Sequence, residues 1–495
     1  MPTFTAHRVL PEAPFATLAD YEAAGGGEGL RDARLVEPEV VVAELEASGL
    51  RGRGGAGFPT GTKWRTVREY ASTMLDTVVV VNAAEGEPGT YKDRSILLAN
   101  PYAVLEGALI AARAVGSRNV VIASKQRFAD VIVRVESAIA EITRARWSED
   151  VTITVIAGPE EYLYGEETAL LEVMDGRSPF PRVTPPWRRG VLEVLNDDSE
   201  LDTGSNTSSD VVMATPNADN VVPPVLVDNV ETMANVPAII ARGAAEFRSL
   251  GTEASPGTIV CTVTGAVRSA TVVEVPMGTT LRTVLEIAGG TPEDETTGMA
   301  RPLRCVLMGV SNAVLGPEDL DTPLSYEAMS ARGSGLGSAS FIVVDDTTHP
   351  VAVAAAASRF LSVESCGQCR PCKLDGLTIA DHLQHMVSGD ATPEALIDLT
   401  GRLDTIINGA RCSLATQHQV VIGSILRRFS DEFSVRSSRP GDSLEAFELA
   451  ELDRIEEGYA TLDPTFQSKQ PDWTHDPIDS GKLPAERLGE HRAAP

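Results

Sequence analysis

The sequence predicts three successive blocks: an α/β domain with a largely parallel sheet, a small β-grasp-like unit, and a helical segment around a cysteine loop. Three observations carry this reading. In the first half, short apolar runs alternate with helix-length stretches, the pattern of βα units. From Gly257 the period shortens to strand, turn, strand, helix. From His349 to about Phe433 the chain reads as helical, and it holds three cysteines in Ser365-Cys366-Gly367-Gln368-Cys369-Arg370-Pro371-Cys372-Lys373.

In order, residues 38–47 read as a helix that enters a glycine-rich loop. Val78–Val81 is a short buried strand, Pro101–Val115 an alanine-rich helix and Asn119–Ala123 a second strand. Ala129–Thr143 is again helical and Val151–Ile156 strand-like. The polar stretch Asn196–Asp210, rich in Ser, Thr and Asp, reads as a loop. In the second block, Thr258–Gly265 and Thr271–Pro276 are strands and Leu281–Ala288 is a helix stopped by Gly289-Gly290. Further strands fall at Leu303–Met308 and Ser340–Val344. From Pro464 the chain is rich in Pro, Asp and Gly and reads as extended.

Composition narrows the class. A chain of 495 residues holds two to four domains with ample core. Its net charge of −28 argues against nucleic acid and for solubility or a basic partner. No charged-then-apolar leader opens the chain, and the longest apolar run, Val351–Ala357, is far too short to cross a bilayer. Six cysteines are too few for a disulfide framework, which favours a reducing compartment. Only 6 of the 42 basic residues are lysines, which singles out Lys63 and Lys92 within the motifs below.

The C-x2-C-x2-C spacing sets three thiols around a small volume, and Cys412 offers a distant fourth. Three close thiolates plus one remote is a common way to hold a [4Fe–4S] cubane. Zinc more often takes two separated pairs, so a zinc-stabilised scaffold stands as the weaker alternative. A redox dithiol would need one C-x-x-C rather than two overlapping ones. Cys261 and Cys305 lie in apolar strand-like runs and read as small buried side chains. None of the seven histidines pairs at metal spacing, and surface or capping roles are expected for them.

Three further segments bear on ligands. The first, Gly52-Arg53-Gly54-Gly55-Ala56-Gly57-Phe58-Pro59-Thr60-Gly61-Thr62-Lys63, is stripped of side chains so that backbone amides can approach a phosphate or flat ring. It matches the dinucleotide fingerprint formally, but a helix precedes it where a strand is required, so a simple Rossmann reading is rejected. The second, Asn82-Ala83-Ala84-Glu85-Gly86-Glu87-Pro88-Gly89-Thr90-Tyr91-Lys92-Asp93-Arg94, follows a strand end, where open α/β sheets bind ligands. The third, Tyr162-Leu163-Tyr164-Gly165-Glu166-Glu167-Thr168, opens a helix, and its carboxylates are also accounted for as plain caps. A ligand-free glycine turn and a solvated acidic loop are the bland readings of the first two.

Taken together, and in order from about Tyr21 to Phe429, these segments resemble the flavin-bearing, NADH-oxidising subunit of respiratory complex I. They are equally similar to the related diaphorase subunits of NAD-linked hydrogenases and formate dehydrogenases. Pro181-Arg182, Pro185-Pro186, Asp228-Asn229-Val230-Glu231-Thr232 and Glu364-Ser365-Cys366-Gly367 add to the match. The resemblance implies an FMN/NADH-binding α/β domain over 1–245, a β-grasp-like (ubiquitin-like) domain over 257–345 and a [4Fe–4S] helical bundle over 349–433. An acidic helix and extended tail fill 434–495. It assigns FMN to Gly52, Arg53, Gly54, Lys63, Asn82, Glu87, Tyr162, Gly165, Glu166 and Asn229. Phe58, Glu167 and Trp187, with Glu87, fall to NAD(H), and Cys366, Cys369, Cys372 and Cys412 to the cluster.

The implied chemistry belongs to the cofactors, so no side chain is expected to act as a catalytic acid or base. Implied partners are a small thioredoxin-like [2Fe–2S] subunit and a larger iron–sulfur or catalytic subunit, contacting this chain near the cysteine loop, with Trp473 as an anchor in the tail. A cytoplasmic location is expected, free or peripheral to a membrane complex, without membrane insertion. The chain departs from its relatives at Ala84 and Gly86, where Asp and Ser are usual, and at Thr66, Thr184 and Asp228. Tyr164 replaces a small residue, and the stretch Trp187–Pro224 is longer and more polar than usual. Those departures support a second reading, a non-catalytic electron-relay or assembly subunit with weakened nucleotide binding.

Overall fold

The structure is a computed structural model; it describes residues 5–72, 75–187, 223–439 and 441–489. The predicted loop Asn196–Asp210 lies outside the described residues. The chain divides into two compact units: one comprises Thr5–Glu85 and Lys92–Val260, the other Gly86–Tyr91 and the chain from Cys261 onward.

The first unit is built on a four-stranded, all-parallel sheet of β1 (Thr77–Ala83), β2 (Ser117–Lys125), β3 (Thr152–Gly158) and β4 (Val225–Asn229), in the order β3-β2-β1-β4. A Val-rich β1 suits the centre because it is buried on both faces. The helices Pro101–Val115 and Ala129–Arg144 make the crossovers from β1 to β2 and from β2 to β3. Asn100 caps the first, and Gly116 ends it in the left-handed region at φ 74°. Strands β1, β2 and β3 step outward in one direction, and the chain then returns to place β4 on the other flank of β1. Their carboxyl ends are in register, Asn82 opposite Asn229. In open α/β sheets such a switch point is where ligands bind.

In the second block, β5 (Thr258–Gly265), β6 (Thr271–Pro276), β7 (Leu303–Leu307) and β8 (Ser340–Asp345) form a sheet of order β6-β5-β8-β7. β8 runs parallel to β5 and antiparallel to β7. Cys261 and Cys305 are buried within it, as expected. The helices Pro350–Glu364, Arg370–Ser388, Pro393–Thr405, Leu414–Arg428 and Ser430–Ser438 follow, the first packed on the second and fourth. His349 caps the first, its Nδ1 accepting the Val351 N–H at 3.2 Å. Among the described residues no single helix is long and apolar enough to cross a membrane.

Two expectations need correction. In the described part of the 434–495 segment the helix stops at Ser438, and the chain beyond it is not an extended tail. Leu452–Glu456 (β9) and Tyr459–Leu462 (β10) form an antiparallel hairpin. Its turn places Glu457 and Gly458 at φ 51° and 83°, the geometry a tight hairpin demands. The apolar residues of β9, Leu452 and Ile455, stand three apart, so no strand period shows in the sequence. Beyond it the tail is folded, with Phe466, Trp473 and Leu483 buried. Spaced apolar residues outweigh a polar average when each finds a cavity to fill. His418 is likewise neither surface nor cap: it is fully buried, with Nε2 2.8 Å from the Ser358 hydroxyl.

Candidate functional site

The glycine loop runs from the Pro38–Ser48 helix to the Thr60–Glu69 helix. Gly52 N–H donates to the Phe58 carbonyl and Arg53 N–H to the Thr232 hydroxyl, which fixes the base of the loop. Gly55 and Gly57 sit at φ 131° and 63°, which a side chain would strain. The amides of Gly54, Gly55, Ala56 and Gly57 find no acceptor among the described residues. Consecutive unpaired amides in such a turn suit an anion. Phe58 is about half exposed beside them, at 52%.

Arg53 turns away from the loop. Its guanidinium is buried, donating to the carbonyls of Thr258 and Pro256 at 3.1 and 3.0 Å, 3.9 Å from Glu231. Lys63, in the helix that follows the loop, is held by Glu167 at 2.6 Å and the Val227 carbonyl at 2.5 Å, with Asp228 at 3.8 Å. Burial alone would lower its pKa, and the two carboxylates more than offset that, so its ammonium stays charged. Burial pushes Asp228 up to about 6, against the pull of Lys63 and of the Trp64 indole N–H that donates to it at 2.7 Å.

At the end of β1, Asn82 Nδ2 donates to the Gly165 carbonyl at 2.8 Å, while its Oδ1 accepts the Ala84 N–H. This ties the strand to the 3-10 turn Tyr162–Gly165. A Cβ on Gly165 would stand 2.8 Å from the Ala84 carbonyl oxygen, so only glycine passes there. Glu166 caps the helix Glu167–Met174, accepting the Thr168 and Ala169 amides. Tyr164 fills the apolar cluster below, with Val80, Val121, Leu170 and Val227, and its hydroxyl has no partner among the described residues.

Asn229 caps the Val230–Arg242 helix and reaches Asp93 at 2.7 Å and Lys92 at 3.1 Å. Around it lies a buried charge network. Lys92 pairs with Asp93 at 2.7 Å and Glu231 at 3.1 Å, and Arg94 with Glu85 at 2.8 Å. With Arg53 the three cations balance Glu85, Asp93 and Glu231. Sequence reasoning picked out Asn229 and Lys92 but not this network. The scarcity of lysine was its one visible sign.

The structure therefore brings Lys63 to Glu167, Asn82 to Gly165, and both asparagines to the β1/β4 switch point. Glu87 belongs to the other unit, where its carboxylate accepts the Val310 amide at 2.7 Å and the Ser311 hydroxyl at 2.6 Å. Trp187 and Thr66 are half-buried, the latter with its hydroxyl on the Thr62 carbonyl.

The cysteine loop follows the Pro350–Glu364 helix. Cys366 and Cys372 are buried, Cys369 is the N-terminal cap residue of Arg370–Ser388, and Cys412 precedes Leu414–Arg428. Among the described residues no three potential ligands converge as on a single metal ion. Four irons of a cubane need more widely spread thiolates. Burial pushes the Cys366 thiol up to about 11, and that of Cys372 in the same direction. Beneath the loop, Lys373 Nζ donates to the carbonyls of Ser362, Val363 and Ser365 at 2.8, 3.1 and 2.9 Å. A buried cation there suits the negative charge of a thiolate-bound cluster.

This combination defines a flavin and iron–sulfur oxidoreductase component, and the comparisons agree. The Nuo51 FMN-binding domain family matches residues 45–238, the SLBB domain family 260–304, and the NADH-ubiquinone oxidoreductase-F iron-sulfur binding region 352–436. The chain is 34% identical over 427 residues to the F subunit of the NADH-quinone oxidoreductase of Streptomyces coelicolor, covering 84% of this chain and 87% of that one. It is 31% identical to the HndC subunit of the NADP-reducing hydrogenase of Solidesulfovibrio fructosivorans, covering 84% and 80%. A crystal structure of an NAD+-reducing [NiFe]-hydrogenase matches with TM-score 0.71 at 29% identity, over 90% of this chain and 70% of that one. The chain belongs to the family of the F subunit of NADH-quinone oxidoreductase.

Proposed function

We propose that this chain exchanges electrons between NAD(H) and a partner protein through FMN and a [4Fe–4S] cluster, as one subunit of a larger oxidoreductase. The observation that carries this reading is the switch point. There Asn82, Asn229, Lys63 and Glu167 converge beside a loop of unpaired amides. When bound, FMN supplies the conversion between a two-electron hydride exchange with a nicotinamide and single-electron transfers, for which the cluster provides the one-electron store.

The chain's own residues bind and orient. Gly52 and Gly54 keep the loop low, and its free amides and Lys63 neutralise a phosphate or ring oxygen. Asn82, Gly165, Glu166 and Asn229 set the walls at the strand ends, with Tyr162 at the rim. Arg53 serves by holding the loop from within, since its guanidinium is taken up by backbone carbonyls. Phe58, Glu167 and Trp187 are the proposed nicotinamide-nucleotide contacts, and Glu87 joins both sets on resemblance alone. Cys366, Cys369, Cys372 and Cys412 would hold the cluster.

The same reading makes 257–345 a β-grasp-like domain that lies in sequence between the flavin domain and the cluster bundle, supported by its strand, strand, helix order and mixed sheet. Proposed partners are a small thioredoxin-like [2Fe–2S] subunit and a larger iron–sulfur or catalytic subunit, in the cytoplasm. Both relatives above carry the name of a subunit, which supports partners of some kind.

Two variants test the assignment. Gly54→Val puts a branched side chain on an atom position already only 3.1 Å from the Asn229 Cβ. It should weaken FMN binding at least tenfold, about 1.4 kcal/mol, with iron content unchanged. Cys369→Ser should remove iron and sulfide while NADH-dependent ferricyanide reduction persists. Full flavin content in the first, or full iron in the second, would move the respective site elsewhere.

A further inference from the structure

The C-terminal segment beyond the iron–sulfur match, which ends at residue 436, follows the Pro350–Glu364 helix toward the cysteine loop. Phe466 packs on Phe360 with ring centroids 5.0 Å apart, and Arg359 donates to the Gln467 carbonyl at 3.1 Å. Lys469 makes a buried 2.7 Å ion pair with Glu364. The Trp473 indole donates to the Val363 carbonyl at 2.9 Å, so the aromatic side chain expected to anchor a partner is used within the chain.

Asp472 then folds the next stretch back. Its carboxylate accepts the Thr474 amide at 2.9 Å and the Ser480 amide at 3.2 Å, and its carbonyl accepts Arg487 Nε at 2.8 Å. This turn delivers Leu483 and Ala485 to the cysteines. The Ala485 N–H donates to the Cys366 carbonyl at 2.9 Å. Leu483 covers Gly367, where an added Cβ would lie 2.7 Å from the leucine's own and where φ is 77°. The loop is thus gripped from two sides: Lys373 ties the Ser365 carbonyl to those of Ser362 and Val363 in the last turn of the preceding helix, and the tail holds the Cys366 carbonyl together with the Val363 carbonyl and Glu364 side chain of that turn.

We propose that residues 464–489 are a built-in cap on the iron–sulfur loop, with Leu483 and Ala485 as positioning residues that hold the Cys366 turn and exclude water and small reagents from it. This rests on the cluster assignment above. A loop whose opening requires one buried leucine and one backbone hydrogen bond to be given up opens less often, and extraction of its metal slows in proportion.

The test uses the full holoprotein, a chain ending at Asp463, and the point variants Leu483→Asp and Ala485→Pro. Iron and sulfide are measured first; wild-type protein without them would refute the cluster assignment and the cap with it. Anaerobic iron extraction by bathophenanthroline disulfonate is then timed, with hydrogen exchange followed in the peptide spanning Cys366–Lys373. Leu483→Asp should release iron roughly ten- to a hundredfold faster, the range expected for one buried leucine, and the truncated chain at least as fast. Ala485→Pro should move in the same direction by less. Faster exchange should be confined to the cysteine loop and the tail. Extraction within about twofold of wild type in folded Leu483→Asp, or acceleration matched by faster exchange throughout the chain, would overturn the cap.

Discussion

His418 has no exposure, its Nε2 is engaged by Ser358, and its Nδ1 finds no partner among the described residues. Burial lowers its pKa from 6.5 to about 3. The unfolded chain therefore takes up a proton below about pH 6.5 that the folded chain refuses. Stability from this group is complete above that pH and falls as pH drops toward 3, by up to about 1.4 kcal/mol per unit. His418→Gln should flatten this limb, so its urea midpoint gains on wild type between about pH 6.5 and 4.5. A constant difference across that range would show that His418 titrates normally. Lys92 offers a second residue-level prediction. Lys92→Met leaves Asp93 and Glu231 buried without their cation and should destabilise the first unit by about 3–5 kcal/mol in urea unfolding. A loss under about 1 kcal/mol would mean that water reaches this network.

At the level of elements, most of the chain was legible because its periods are strong. The Val-rich β1, the helix Pro101–Val115 with its Asn100 and Gly116 ends, and β5 and β6 fall where alternation and capping residues put them. The site was half legible. Glycine spacing located the loop, and the strand end located Asn82, since both follow from local rules. That Arg53 faces inward, or that Asp228 meets Trp64 and Lys63, depends on chain segments over 150 residues apart, which no local pattern encodes. The β9–β10 hairpin was missed for another reason: apolar residues three apart among acidic residues read like a helix. Its turn makes a direct prediction. Gly458→Val at φ 83°, with its Cβ 2.6 Å from the Ser269 hydroxyl, should cost about 1–2 kcal/mol and raise amide exchange in Leu452–Leu462 and at Ala270, whose N–H donates to the Gly458 carbonyl. Unchanged protection there would mean that the turn adopts another conformation.

For the whole molecule, the relatives named as subunits support reading the chain as a component of a larger oxidoreductase. The first unit holds the glycine loop and the switch point, and the second holds the cysteines and their cap. In the proposed function both cofactors serve one chain in sequence. Anaerobic NADH titration of the purified holoprotein, followed by absorbance and by electron paramagnetic resonance, tests this most directly. The flavin bands should bleach and a reduced-cluster signal should then grow, while Cys369→Ser should show the bleaching without the signal. A chain with full iron but no flavin bands, or flavin bands that NADH leaves unchanged, would contradict the proposed function.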